Sequence, residues 1–306
     1  MMSKTVKQIL TGLFLISVLM NGCQNHKKTG IDEKYIKQIK TWRTERFNRL
    51  KAPDSWLSLA GLFWLENGEN TFGRDVGNDF VLEKTGLPSR VGTFTLQNGS
   101  VLFKSAMGVN VSHLNQIINE ISMHDDTQEK PTVLKWDSLS WYVIKRGDRL
   151  GVRLKDSRHP RIKQLKQIAA FPIDKNWKIK TVLKRYDNPR MMQIPTVLGT
   201  VEEQFSPGVL EFNIEGTTYH LHPSGSDGDL FVIFGDLTNT HETYGGGRFL
   251  VIEKPNERGE TWIDFNRAYN PPCVFSPYAT CPLPPEENQL SIRIVAGEMM
   301  VRGFGH

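Results

Sequence analysis

The chain reads as a mostly β protein, an antiparallel sandwich or barrel-like set of sheets behind one N-terminal helix. Three observations carry that expectation. Beyond residue 51, apolar residues recur at period two in short segments. Glycine-containing turns separate those segments. Only "IDEKYIKQIKTWRTERFNRL" has helical spacing, with Ile31, Tyr35, Ile39, Trp42 and Phe47 near one stripe and charges elsewhere.

Within the helix, Asp32 is the expected N-cap, and basic residues gather towards the C-terminal end, where the exposed carbonyls favour them. The strands follow. "VGTFTLQNGSVLFKS" sets Asn98-Gly99 between alternating segments, a strong hairpin signal. "SWYVIKRGDRLGVRLKD" repeats the design around Arg146-Gly147-Asp148, and "GVLEFNIEGTTYHLHP" around Glu215-Gly216. "KNWKIKTVLKRY" alternates Lys178, Lys180 and Lys184 with apolar neighbours, which predicts a solvated strand face rather than a nucleic-acid stripe. "DLFVIFG", "RFLVIEK", "TWIDFN" and "LSIRIVAGE" complete the expected strands.

The N-terminus points to a compartment. Lys4 and Lys7 precede an apolar run, Ile9 to Met20, too short to span a bilayer comfortably. The run ends in "LMNGC", which resembles a bacterial lipobox, cut before Cys23 so that this cysteine takes the lipid. The expected organisation is a signal peptide over 1–22, the lipidated Cys23 and a polar tether over 23–31, and a single β-rich domain over 32–306. Within that domain, 51–145 and 146–306 are candidate sub-units. The expected setting is the bacterial envelope, facing the periplasm and more readily at the outer membrane, with membrane contact through the lipid.

Removing Lys4 and Lys7 takes the formal charge from +5 to +3, and 38 basic against 33 acidic residues make a mixed surface. Nothing in that balance calls for nucleic acid. There is no G-x-S-x-G elbow, no H-E-x-x-H helix and no Walker loop. His220 and His222 share a strand side in "YHLHP", but no third ligand follows at useful spacing, so neither a metal nor a cofactor is expected. "TFGRDVGNDFVLEKTGLPSR" resembles the phosphothreonine-binding forkhead-associated domain at Gly73, Arg74, Asn78, Asp79, Ser89 and Arg90. The family's histidine position holds Gly92, and the composition favours a plain turn.

Unusual residues concentrate around "TYGGGRFLVIE". Successive glycines let Gly245, Gly246 and Gly247 turn N–H groups to one side as an anion-binding nest, and Arg248 adds a planar, permanently charged fork. A strand starting at Arg248 puts Arg248, Leu250 and Ile252 on one face. In "IDFNRAY", Asp264 and Asn266 point together where a core strand should be apolar, so they are paired or functional. Arg248 with Asp264 is the obvious partnership. It is either a structural ion pair or a site with Asp264 as base and Tyr244 or Tyr269 as proton donor. "YNPPC" and "CPLPP" make a rigid loop that admits a cis bond at Asn270-Pro271 or Pro271-Pro272. Cys273 and Cys281, an even pair in an oxidising compartment, are expected to form a structural disulfide, since their spacing is not Cys-x-x-Cys.

The blocks "SWLSLAGLFWLENGENTFG", "PTVLGTVEEQFSPGVLEF", "TYGGGRFL" and "IDFNRAYNPPCVFSPYATCPLPPEENQL" resemble the bacterial family catalogued as domain of unknown function 1684, from about Trp42 to Glu298. The resemblance implies a domain and a site region but no reaction. The expected function is binding of a small anionic or polyhydroxylated ligand beside the glycine turn, lined also by Asn266 and Asn270. The alternatives are a cofactor-independent hydrolase or lyase, and a structural or interaction module of the envelope.

Overall fold

The structure, a computed structural model, describes residues 30–225 and 228–304; the leader and Cys23 lie outside them. Helix α1 spans Gly30–Leu50, so Asp32 falls inside its first turn instead of at the cap. From Ile39 onward the helix belongs to the same compact unit as the remaining chain, with Ile39 and Leu50 buried.

The next hundred residues build two sheets. Their strands are β1 (Leu59–Trp64), β2 (Gly68–Gly73), β3 (Phe80–Val81), β4 (Gly92–Gln97), β5 (Ser100–Ser105) and β6 (Val111–His113). β7 (Gln116–Ile118), β8 (Glu120–Met123), β9 (Leu134–Trp136), β10 (Leu139–Arg146) and β11 (Arg149–Asp156) follow. One sheet runs β1-β11-β10-β9-β6-β7 and the other β3-β2-β4-β5-β8. Every pairing is antiparallel except the short β2–β3 ladder. Their inner faces meet in an aromatic core, where Trp141 packs edge-on against Phe72 at 5.6 Å and Phe103 at 5.7 Å.

A short helix, α2 (Pro160–Gln164), leads into the second half. β12 (Lys178–Pro195), β13 (Val201–Ile214), β14 (Thr217–Leu221), β15 (Leu230–Phe234), β16 (Arg248–Ile252) and β17 (Glu260–Asp264) make it up. A four-stranded sheet runs β14-β13-β12-β17, and β15 pairs with β16. Leu210, Leu221, Val232, Phe234, Leu250 and Phe265 form a core separate from the first. Arg146 and Arg153 of β10 and β11 both donate to the Thr280 hydroxyl, at 3.0 and 2.9 Å, and so tie the two halves together.

The expected hairpins form for the expected reason. Asn98 and Gly99 take φ of 51° and 74°, and Glu215 and Gly216 take 51° and 85°, as two-residue turns between right-twisted strands require. Arg146 pairs with Arg149 across Gly147-Asp148. One expected strand is absent: residues 290–298, "LSIRIVAGE", join no ladder. Their alternation is real, but the carbonyls of Ile294 and Ala296 accept from Arg248, and the Ile294 amide donates to Asp236. No peptide bond among the described residues is cis, so the prolines around Cys273 are rigid in the trans form.

Candidate functional site

β16 begins at Arg248, and the ladder sets it opposite Phe234. Leu250 and Ile252 are buried on the same face, as the parity of the strand requires, and Arg248 itself is 0% exposed. Its Nη2 meets Asp236 Oδ2 at 2.7 Å and the Ile294 carbonyl at 2.9 Å, its Nη1 donates to the Ala296 carbonyl, and the guanidinium lies over the Phe234 ring. Asp236 in turn anchors the "DLTNTHET" loop, since its Oδ1 accepts from the Thr238 amide and hydroxyl at 2.8 and 2.6 Å. The Arg248–Asp264 partnership is therefore corrected to Arg248–Asp236. Both members of that pair are sealed from solvent, and Arg248 is not open to a ligand.

The glycine turn is a packing device. Gly247 takes φ of +80°, and a β-carbon there would come within 2.3 Å of Pro284 and 2.6 Å of the Phe234 carbonyl. Its amide closes the turn on the Tyr244 carbonyl at 3.1 Å. Gly245 and Gly246 carry no positive φ, and a β-carbon on Gly246 would crowd the Tyr244 ring and Leu283. Gly246 and Gly247 let the Leu283-Pro284 loop close against β15 and β16, while Gly245 faces Thr240, and the expected nest beside Arg248 is corrected to that packing role.

Asp264 ends β17 and caps the turn Phe265–Arg267, its Oδ1 accepting from the Asn266 amide at 3.2 Å. Arg267 Nε lies 3.8 Å from its other oxygen. Asn266 reaches Asp174 with both ends of its amide, at 3.1 and 2.7 Å, and fastens that segment to the turn. The two polar residues are thus paired side chains of a turn.

Tyr269 and Asn270 converge on a network whose other members, Arg46 and Glu298, carry no local motif. Arg46 Nε meets Glu298 Oε1 at 2.5 Å, and its Nη2 donates to the Asn270 carbonyl at 2.9 Å. The Asn270 amide donates to Glu298 Oε2 at 2.7 Å, and Arg46 stacks 4.4 Å above the Tyr269 ring. Burial raises the Tyr269 phenol above its ordinary range, with Arg46 opposing. Burial also raises Tyr244, helped by the neighbouring sulfurs of Cys273 and Cys281. Both phenols therefore keep their protons at neutral pH.

Cys273 and Cys281 are free thiols in this structure, not the expected disulfide. They are 2% and 4% exposed, and the Cys273 amide donates to Cys281 Sγ at 3.1 Å. Of the other sequence candidates, Asn78 donates to the carbonyls of Asp75 and Ser89, both at 2.8 Å, so the forkhead-like stretch is held as a turn. The two histidines diverge: His220 faces Glu211 at 3.4 Å, while His222 Nδ1 shares a hydrogen bond with the Tyr186 hydroxyl at 2.8 Å.

The open space lies elsewhere. A cleft of about 520 Å³ runs between residues 165–169, His241, Glu242 and residues 299–304. A second, of about 240 Å³, shares Lys166 and Gln167 with it and adds Arg43, Phe47 and Glu298. Neither is lined by Asp264, Tyr244 or Tyr269. Leu165, Met300 and Phe304 give the first cleft an apolar wall. Lys166 and Arg302 stand over it without a carboxylate partner among the described residues, whereas Glu242 is held by Arg293 and Glu298 by Arg46. No pattern in the sequence announces Lys166 or Arg302. The segments meet because residues 169–171 pair with residues 297–299.

No curated protein matches the chain. Among solved structures it is similar to an uncharacterized protein of Haloarcula marismortui determined by solution NMR. That match has 27% identity, 45% of this chain and 78% of that one covered, and a TM-score of 0.38. It is also similar to the FhaA FHA domain complexed with the intracellular domain of Rv3910, at 17% identity, with 31% and 97% covered and a TM-score of 0.22. Residues 163–299, which hold Arg248, Asn270 and both buried cysteines, match the family described as "Protein of unknown function (DUF1684)", and the match supports that domain family for this stretch.

Proposed function

We propose that the chain is a bacterial envelope protein, anchored by a lipid on Cys23, that binds a small anionic ligand in the cleft beside residues 165–169. One observation carries the ligand class: the cleft's carboxylate, Glu242, is already neutralised by Arg293, while Lys166 and Arg302 have no carboxylate partner among the described residues. A carboxylate or phosphate there gains two cations without displacing an existing ion pair. His241 at the rim adds a third donor. Of the anionic or polyhydroxylated ligand expected from the sequence, the anionic part is kept, and its proposed place moves from the glycine turn to the cleft, because Arg248 is spent on Asp236.

Inorganic phosphate and short carboxylic acids, added to the wild type and to a Lys166→Ala/Arg302→Ala variant, test the proposal. At a hundredfold its dissociation constant a ligand adds about 2.7 kcal/mol, which raises the melting temperature of a chain this size by roughly 5 °C or more. Wild type should show that rise with at least one anion, and the double variant should lose it. Equal shifts in both proteins would remove the cleft from consideration.

A further inference from the structure

The most chemically loaded buried group outside the cleft is the pair of thiols. Cys273 lies in the turn Pro272–Val274, and Pro271 and Pro272 before it fix the backbone approach. Cys281 closes the loop eight residues later, and its sulfur accepts the Cys273 amide at 3.1 Å. In its neutral form Cys273 points its own proton at the Ala279 carbonyl, 3.6 Å away, a weak contact that is easily given up. Arg153, 2% exposed, reaches into the same region from β11. Its Nη2 donates to the hydroxyl of Thr280, the neighbour of Cys281, at 2.9 Å. Its Nε has no hydrogen-bond partner, although it is fully buried. A buried guanidinium with an unused donor beside two sulfurs is costly for a fold that needs only packing there. The same arrangement is well suited to a thiolate and to an oxygen species arriving next to it.

We propose that Cys273 and Cys281 form a peroxide-reactive dithiol, with Cys273 the attacking sulfur, Cys281 the resolving one and Arg153 the positioning cation. Cys273 thiolate attacks one oxygen of hydrogen peroxide; the O–O bond breaks, a sulfenic acid forms on Cys273, and hydroxide leaves and takes up a proton to become water. Cys281 then attacks the sulfenic sulfur. The disulfide forms, and the sulfenic oxygen departs as water with the Cys281 proton. Two thiols lose two electrons, and one peroxide is reduced to two waters.

The directions in which the two thiols are shifted agree with this division of labour. The hydrogen bond from Cys281 holds the Cys273 thiol below its ordinary range against the opposing effect of burial, and Arg153 adds to the lowering. The same bond, together with burial, pushes Cys281 up, so it stays protonated until the sulfenic acid is made. Burial of both sulfurs, 2% and 4% exposed, shuts out an oxidant as large as a glutathione disulfide.

The test uses the full chain carrying Cys23→Ser, so that only these two thiols remain. Under dilute hydrogen peroxide the protein should lose about 2 Da and yield a Cys273–Cys281 cross-linked peptide. With Cys281→Ser added, dimedone should trap a sulfenic acid on Cys273. Arg153→Gln should slow the oxidation roughly tenfold or more, the change that one pKa unit makes in thiolate fraction, and Arg153→Lys should restore part of the rate. A melting curve establishes that each Arg153 variant is folded; should one not fold, the trapping experiment decides alone. Thiols that survive peroxide sufficient to oxidise free cysteine would overturn the proposal. So would the absence of a dimedone adduct on Cys273 in the Cys281→Ser protein, or a rate indifferent to Arg153.

Discussion

At the scale of single residues, Arg248 shows what a strand's parity can and cannot reveal. Its face is legible, because alternation puts Arg248, Leu250 and Ile252 on one side and all three are buried. Its partner is not. Asp236 lies two residues beyond Phe234, the residue opposite Arg248 in the ladder, and only register brings it there. Asp264, the acid that the sequence pairs with it, is consumed by capping its own turn. Because both Arg248 and Asp236 are sealed from water, removing one leaves the other buried and charged. Arg248→Met should lower the unfolding free energy by about 3–5 kcal/mol in urea titrations. The double variant Arg248→Met/Asp236→Asn should recover part of that loss. A single-variant cost below about 1 kcal/mol, the scale of an exposed pair, would show that the pair is not the anchor of this corner.

Among the elements, the hairpins at Asn98-Gly99 and Glu215-Gly216 are readable because a two-residue turn imposes its own backbone conformation. "LSIRIVAGE" misleads because its backbone groups are taken by side chains from elsewhere, which no local pattern records. β11 gives a case in which an element's end sets acid stability. Asp156 closes the strand and accepts Lys84 Nζ at 2.5 Å, Ser138 Oγ at 2.6 Å and the Arg158 amide at 3.0 Å. Burial alone would raise this carboxyl, but those bonds outweigh it and hold it below its ordinary value. The folded state thus binds this proton less readily than the unfolded state. The stabilisation is fully present above the unfolded value of about 3.9 and fades as pH falls through the lower folded value. Urea midpoints of wild type and Asp156→Asn should differ clearly at pH 6 and draw together near pH ~2–3. A constant gap across that range would assign the effect of the substitution to packing.

For the whole molecule, the mostly β class and the N-terminal helix follow from periodicity, which is a property of each segment. The cleft does not, because it is made where residues 165–171 meet residues 297–304 and neither stretch is distinctive alone. The proposed lipid anchor rests on Cys23, outside the described residues. Cys23→Ala should move the protein from the membrane fraction of the producing bacterium to the soluble fraction, read by immunoblot. Retention in the membrane would point to a different anchor. The ion pair between Arg46 and Glu298 joins residues 252 positions apart. Closing so large a loop carries an entropic cost that local contacts cannot offset early. Seating of the helix from Ile39 onward is accordingly expected to follow the formation of the β cores, whose hairpin contacts are more local. A chain whose helix is not yet seated would expose the underside of that helix and the surface around Asn270 that it covers.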